Sequence, residues 1–114
     1  MLAAESDRRS PGLISGLEEL VGSAKKDPDR VEKLRAEAHG LKGAALVVGE
    51  KRLAELARLM EESLARAISK GRIEPAAAAT LITAASAFNE GAHAAAEEVG
   101  EPAAVGESLE TLGG

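Results

Sequence analysis

The chain has 114 residues, of which 45% are hydrophobic, and this length fits one compact domain with a single core. Cysteine is absent, which excludes disulfides, cysteine nucleophiles and thiolate metal sites. No apolar run is long enough to cross a bilayer, and the first residues lack the apolar stretch of a secretory signal. We therefore expect a cytoplasmic protein that does not associate with membranes.

The charge pattern also limits the choice of partner. There are 19 acidic and 14 basic residues, a net charge of −5, and the only aromatic side chain is Phe88. Nucleic-acid binding depends on cations and on aromatic stacking, so we expect no nucleic-acid partner. Residues 25–72 carry 12 basic and 8 acidic side chains, whereas residues 73–114 carry 0 and 7. The basic middle of the chain favours an acidic partner surface.

Alanine and leucine dominate the apolar residues, which predicts an all-α fold. Proline and glycine divide the chain into four segments of helical length, over residues 11–25, 28–48, 50–70 and 75–99. The short connections between them predict an antiparallel up-down-up-down four-helix bundle, and a complete bundle favours a monomer. Residues 1–10 are expected to be a flexible N-terminus, and residues 100–114 an acidic, flexible tail.

In each segment apolar residues recur at spacings of three and four, which predicts one buried face per helix. Ser10 and Asp27 are the predicted N-caps, because each precedes a proline that suits a first helical turn. Gly71 is the predicted end of the third helix. The predicted core positions are Leu13, Leu17, Leu20 and Ala24; Val31, Leu34, Ala38, Leu41, Ala45 and Val48; Leu53, Leu56, Met60, Leu64 and Ala67; and Ala78, Leu81, Ala85, Phe88, Ala92 and Ala95.

The second helix carries a group of residues that suggests chemistry. His39 follows Ala38 of the buried face and should point outward, and Lys42 and Gly43 lie three and four positions further on the same face. Gly40 and Gly43 each cost about 0.5 to 1 kcal/mol relative to alanine in a helix interior, which indicates a benefit from bare backbone. A neutral imidazole can attack phosphorus, a lysine can balance the phosphoryl charge, and a glycine lets a second protein approach.

The run from His39 to Ala45 (HGLKGAA), followed by Gly49, Leu53, Leu56 and the acidic pair Glu61-Glu62, resembles the histidine-containing phosphotransfer (HPt) domain family over about residues 11–99. The resemblance implies a four-helix bundle whose exposed histidine is phosphorylated on Nε2 and exchanges the group with a receiver-domain aspartate. It implies that His39 is the phospho-acceptor, that Lys42 stabilises phosphohistidine, and that Gly43 gives the receiver access. The implied partners are a response-regulator receiver domain, a histidine kinase, or both.

The resemblance also implies that this chain holds no cofactor, since the Mg²⁺ needed for transfer would belong to the receiver. The family's apolar docking surface should map onto Leu46 and onto Leu13 or Ile14 of the first helix.

Other functions remain open alongside phosphotransfer. A binding module or antagonist could dock on a receiver or kinase domain through the same surface without accepting phosphate. An enzyme that uses His39 as a general base would need a second positioned acid, nucleophile or oxyanion donor, and no such residue stands out.

The remaining polar residues favour structural interpretations. His93 has no lysine or glycine at the equivalent offsets and is expected to be a surface histidine with no role. Two histidines on separate helices do not make a metal site. Glu61 and Glu62 are expected on a solvated face, with Glu62 paired to Arg66 one turn further along the helix.

Overall fold

The computed structural model describes residues 2–22 and 28–113, and these residues form five helices. The helices are α1 (Leu2–Gly22), α2 (Pro28–Val47), α3 (Lys51–Lys70), α4 (Pro75–Ala96) and α5 (Ala103–Gly113). The predicted all-α class is confirmed, and α2, α3 and α4 begin and end within a few residues of their predicted bounds. Along the described part of the chain, none of the helices combines the length and the apolar character that a membrane span requires.

The turns between helices explain these bounds. Gly49 and Gly71 both adopt a left-handed conformation, with φ of 77° and 73°, which other residues rarely tolerate. Gly71 caps α3 as predicted, and its backbone N–H donates to the carbonyl of Ile68 at 3.1 Å. Pro75 opens α4 in the first turn, where its missing N–H costs nothing.

The first helix is longer than predicted. It begins at Leu2, so Pro11 lies inside it, and Ser10 is a buried helical residue rather than an N-cap. The proline removes one helical hydrogen bond, but apolar residues on both sides of it pack into the core and hold the helix together. Residues 2–10 are therefore part of the bundle, not a flexible N-terminus. The predicted core residue Ala24 and the predicted cap Asp27 lie outside the described residues.

Two buried hydroxyls join the added part of α1 to α4. Ser6 Oγ donates to Asn89 Oδ1 at 2.7 Å and lies 3.0 Å from Ser10 Oγ. Because both serine side chains are buried, these bonds replace the hydrogen bonds that water would otherwise make.

Helices α1 to α4 enclose one core. Helix α1 packs on α2 and α4, and α3 also packs on α2 and α4. Of the predicted core positions within the described residues, all but two are buried; Ala95 is half-buried and Val48 is 37% exposed, because α2 ends at Val47. The largest fully buried apolar side chains are Leu13, Leu17, Leu41, Leu56, Met60, Leu64, Leu81, Phe88 and Val105. The antiparallel order of the four helices stays a prediction.

Residues 103–113 form a fifth helix where a flexible tail was predicted. Helix α5 packs on α3 and α4, and its Val105 is fully buried. Gly91 of α4 permits this close approach, since a Cβ there would lie 2.6 Å from Leu53 Cδ2 and 3.0 Å from Val105 Cγ2. The glycines and acidic residues of this segment suggested a solvated chain, but Val105, Leu109 and Leu112 recur at helical spacing and pack against the core.

Candidate functional site

Helix α2 presents His39 to solvent, with 64% of its side chain exposed. Its neighbours Ala38 and Leu41 are fully buried, so the rotation of the helix between them directs His39 outward. The imidazole therefore occupies the outer face, as its position after Ala38 predicts.

Glu61 of α3 joins His39 and Lys42 through one carboxylate. Its Oε2 lies 2.8 Å from His39 Nδ1, and its Oε1 lies 2.8 Å from Lys42 Nζ. Only 15% of the Glu61 side chain is exposed, so the expectation that it belongs to a solvated face is wrong. Glu61 follows Met60 of the core face by one position, which places it at the edge of the contact between α2 and α3.

A signal for Glu61 was present in the sequence. His39 precedes Glu50 by eleven positions and Glu61 follows Glu50 by eleven, and Glu50 lies in the turn between α2 and α3. Two residues that are equally many positions from a tight turn lie at the same level along the two helices that the turn joins. The prediction for Glu61 rested on its neighbour Glu62 instead, because two adjacent helical carboxylates are poorly placed for paired acid–base chemistry.

The hydrogen bond to Glu61 decides which ring nitrogen of His39 holds the proton. A carboxylate only accepts hydrogen bonds, so Nδ1 is the donor. In the neutral ring Nε2 then carries the lone pair. No hydrogen bond from another described residue occupies Nε2. The ring nitrogen of His39 that keeps an unshared lone pair is therefore Nε2.

Glu61 is ionised at neutral pH. Partial burial alone would raise the pKa of Glu61, but hydrogen bonds from Lys42 and His39 and the charges of both groups outweigh it. The pKa of Glu61 consequently lies below its ordinary value of 4.5. A full negative charge therefore lies beside the Nδ1–H of the imidazole.

Lys42 is close to His39 but is directed toward α3. Its side chain is 26% exposed, and its ammonium donates to Glu61 rather than extending past the ring. Lys42 thus shares a carboxylate with the histidine from one helical turn away.

The two glycines of the motif have different surroundings. A Cβ on Gly43 would meet no heavy atom within 4 Å, so the backbone there is open. A Cβ on Gly40 would lie 2.5 Å from Arg9 Cζ, because the guanidinium of α1 lies across Gly40. Arg9 Nη1 also donates to Glu37 Oε1 at 3.0 Å. The sequence interpretation assigned partner access to Gly43 alone, and Gly40 lies beneath the guanidinium of Arg9 instead.

An exposed apolar patch continues from Gly43 to the end of α2. Leu46 and Val47 are 59% and 82% exposed, and together with Gly43 they form what we call the α2 patch. Leu13 is fully buried and cannot belong to a docking surface, whereas Ile14 is half-buried.

The second histidine is a link between helices. His93 Nε2 lies 2.7 Å from Asp7 Oδ1, which connects α4 to the part of α1 that the sequence interpretation left out. The predicted pair of Glu62 and Arg66 is present at 3.7 Å. Throughout residues 2–22 and 28–113, no three histidine, aspartate or glutamate side chains are grouped so that they could hold a metal ion.

Comparison with known families adds to this geometry. The sequence profile of the Hpt domain matches residues 8–111, nearly the whole chain. The chain belongs to the Hpt domain family. No curated protein sequence matches it. The match places this protein in phosphorelay signalling, where Hpt domains interact with histidine kinases and receiver domains. It extends through most of α5, so that helix is part of this Hpt domain.

Proposed function

We propose that this Hpt domain carries a phosphoryl group on His39 Nε2 and exchanges it with the aspartate of a response-regulator receiver domain, with a histidine kinase, or with both. The observation that carries the proposal is the exposed imidazole whose Nδ1–H is held by the ionised carboxylate of Glu61. This contact leaves the Nε2 lone pair directed away from the carboxylate.

The transfer step makes one bond and breaks one. The Nε2 lone pair attacks the phosphorus of the receiver's aspartyl phosphate, the N–P bond forms, and the P–O bond to the aspartate breaks as its carboxylate leaves. The ring gains a positive charge and keeps its proton on Nδ1. Glu61 stabilises that charge through the existing hydrogen bond, much as a carboxylate stabilises the imidazolium of a catalytic triad. Mg²⁺ in this proposal belongs to the receiver domain.

Lys42 and Gly43 support the same step. Lys42 lies one turn from His39, where its ammonium can balance the phosphoryl charge. The open backbone at Gly43 leaves room for a receiver's active site, and Leu46 and Val47 of the α2 patch offer that partner an apolar contact. Each of these roles follows from position beside the reactive nitrogen.

A transfer assay tests the proposal. The full chain is incubated with receiver domains that carry a radiolabelled aspartyl phosphate, and acid-labile label on the chain is followed. We expect label on the wild type and on His93→Gln, but none on His39→Gln. Because both histidines are partly exposed, both variants should keep the helical circular dichroism of the wild type.

Two other results of the transfer assay would each contradict the proposal. Label on His39→Gln would identify a different acceptor and overturn the proposal. A wild-type chain that binds phosphorylated receivers without acquiring label would be the non-phosphorylated docking module instead.

A further inference from the structure

Arg35 of α2 joins the carboxylate that holds His39. Its Nη1 lies 3.3 Å from Glu61 Oε2, the same oxygen that accepts the hydrogen bond from His39 Nδ1. Arg35 is four residues before His39 and therefore lies one helical turn away on the same side of α2. Three basic side chains consequently converge on Glu61, and they approach it from the same helix.

Glu32 restrains the guanidinium of Arg35. Arg35 Nε lies 3.1 and 3.0 Å from the two Glu32 oxygens, and its Nη2 also contacts Glu32. A guanidinium is planar and rigid, so holding two of its nitrogens sets the direction of the third. The contact from Nη1 to Glu61 is therefore made by a guanidinium that Glu32 already holds through two other nitrogens.

Lys42 is held much less firmly. Among the residues that the structure describes, its ammonium contacts Glu61 alone. A lysine is a point charge on a flexible stem, so Lys42 can leave the carboxylate without breaking a second contact. Arg35 cannot turn away without also disturbing its bonds to Glu32.

We propose that Arg35 is a positioning residue, which acts through Glu61 to keep the proton of His39 on Nδ1, while Lys42 is the cation that moves. The role of Lys42 rests on the proposed phosphotransfer function. When a phosphoryl group is added to Nε2, Lys42 turns toward it. Arg35 stays and holds Oε2 of Glu61 beside the newly charged ring. Arg35 itself does not touch the reacting atoms.

The first test uses the unphosphorylated full chain and does not depend on transfer. NMR shifts of the two imidazole nitrogens of His39 report which nitrogen carries the proton. We expect Arg35→Gln to move both shifts toward the averaged values of a ring that exchanges between its two tautomers. Lys42→Gln should move them less, and Glu61→Gln should move them most. Arg66→Gln is the matched control, because Arg66 is an exposed arginine of α3 whose ion-pair partner is Glu62.

Arg35→Lys separates charge from geometry. A lysine keeps the positive charge but cannot hold Glu32 and Glu61 with fixed nitrogens, so we expect it to restore the shifts only in part. Unchanged shifts in Arg35→Gln, or a larger change in Lys42→Gln, would overturn the role of Arg35. All variants should show wild-type circular dichroism, since the altered side chains lie outside the core.

The second test follows the phosphorylated protein. We expect Arg35→Gln to slow the labelling of His39 several-fold and Lys42→Gln mainly to shorten the lifetime of the phosphohistidine. Equal loss of lifetime in both variants would overturn the division of roles. If the wild type accepts no label, the proposed function fails, but the nitrogen shifts still support or reject the positioning role of Arg35.

Discussion

The chemistry proposed for His39 depends on a residue from another helix. A lone exposed imidazole exchanges its proton between two nitrogens, so neither nitrogen is consistently nucleophilic. The carboxylate of Glu61 removes this ambiguity, because it accepts a hydrogen bond from Nδ1 at 2.8 Å. In the proposed function it also supplies a negative charge beside the phosphorylated ring. The proposed reactive unit is therefore a group of residues from α2 and α3.

The pKa of Glu61 predicts how stability depends on pH. Its pKa is lower in the folded than in the unfolded chain, so its contacts stabilise the fold above the unfolded value and this stabilisation is lost as pH falls through the folded pKa. At neutral pH we expect Glu61→Gln to lower the free energy of unfolding by about 1 kcal/mol. The difference from wild type should shrink below about pH 4.5.

Urea denaturation at a series of pH values measures this difference. Glu110→Gln is the control, because Glu110 is exposed on α5 and makes no hydrogen bond or ion pair with Glu61, His39 or Lys42. A gap between wild type and Glu61→Gln that stays constant down to low pH would contradict the prediction.

At the scale of helices, glycines serve two different purposes. Gly43 faces open space, whereas Gly91 lies where α4 meets Leu53 of α3 and Val105 of α5. Both lack a side chain, and both weaken their helix relative to alanine. Only the surroundings in the folded protein distinguish a glycine that exposes backbone from one that permits close packing.

The same substitution should therefore have opposite effects at these two positions. We expect Gly43→Ala to raise the free energy of unfolding by about 0.5 to 1 kcal/mol, through helix propensity alone. Gly91→Ala should lower it by about 1 kcal/mol or more, because the added Cβ would overlap with buried Leu53 and Val105. Thermal denaturation of both variants tests this contrast, and stabilisation in both would show that α4 can move away without loss.

At the scale of the whole molecule, α5 completes the core. It covers the junction of α3 and α4, and its Val105 is as buried as the central leucines. The family match extends through this helix as far as residue 111. A bundle of four helices alone would leave this part of α3 and α4 exposed to water.

Truncating Val105 tests the contribution of α5. We expect Val105→Ala to lower the free energy of unfolding by about 1 to 3 kcal/mol, because it leaves a cavity in a packed interior. Val47→Ala removes the same atoms from a site that is 82% exposed, so it should change stability by less than about 0.5 kcal/mol. Urea denaturation compares the two variants, and equal effects would mean that α5 is only loosely attached.

Across the molecule, several basic side chains form ion pairs with nearby acidic residues, which charge counts along the sequence do not show. The basic stretch of residues 25–72 contains ion pairs within itself, such as Arg35 with Glu32 and Arg58 with Glu55 and Glu62. Arg52 also reaches Glu101, beyond this stretch. Neighbouring acids therefore offset much of the positive charge that seemed available to an acidic partner.

The sequence alone was sufficient to predict the helices α2, α3 and α4, their buried faces and the outward position of His39. These properties depend on spacing within one helix, and a helix repeats with a fixed period. The start of α1 was missed because Pro11 is a local signal for a helix beginning, and α5 was missed because composition outweighed a short apolar pattern.

The tertiary structure determined the contacts between helices, which the apolar spacing within one helix does not predict. Glu61 beside His39, Arg9 across Gly40, and Val105 against Gly91 are contacts between helices. Such contacts depend on how far one helix is shifted along its neighbour and how the two are rotated. The periodicity of each helix reports which face is buried, and equal spacing from the turn gives the height of Glu61, but neither shows that its carboxylate contacts His39 Nδ1. The candidate nucleophile and the height of Glu61 could therefore be derived from the sequence, whereas the hydrogen bond between the two became visible only in the packed bundle.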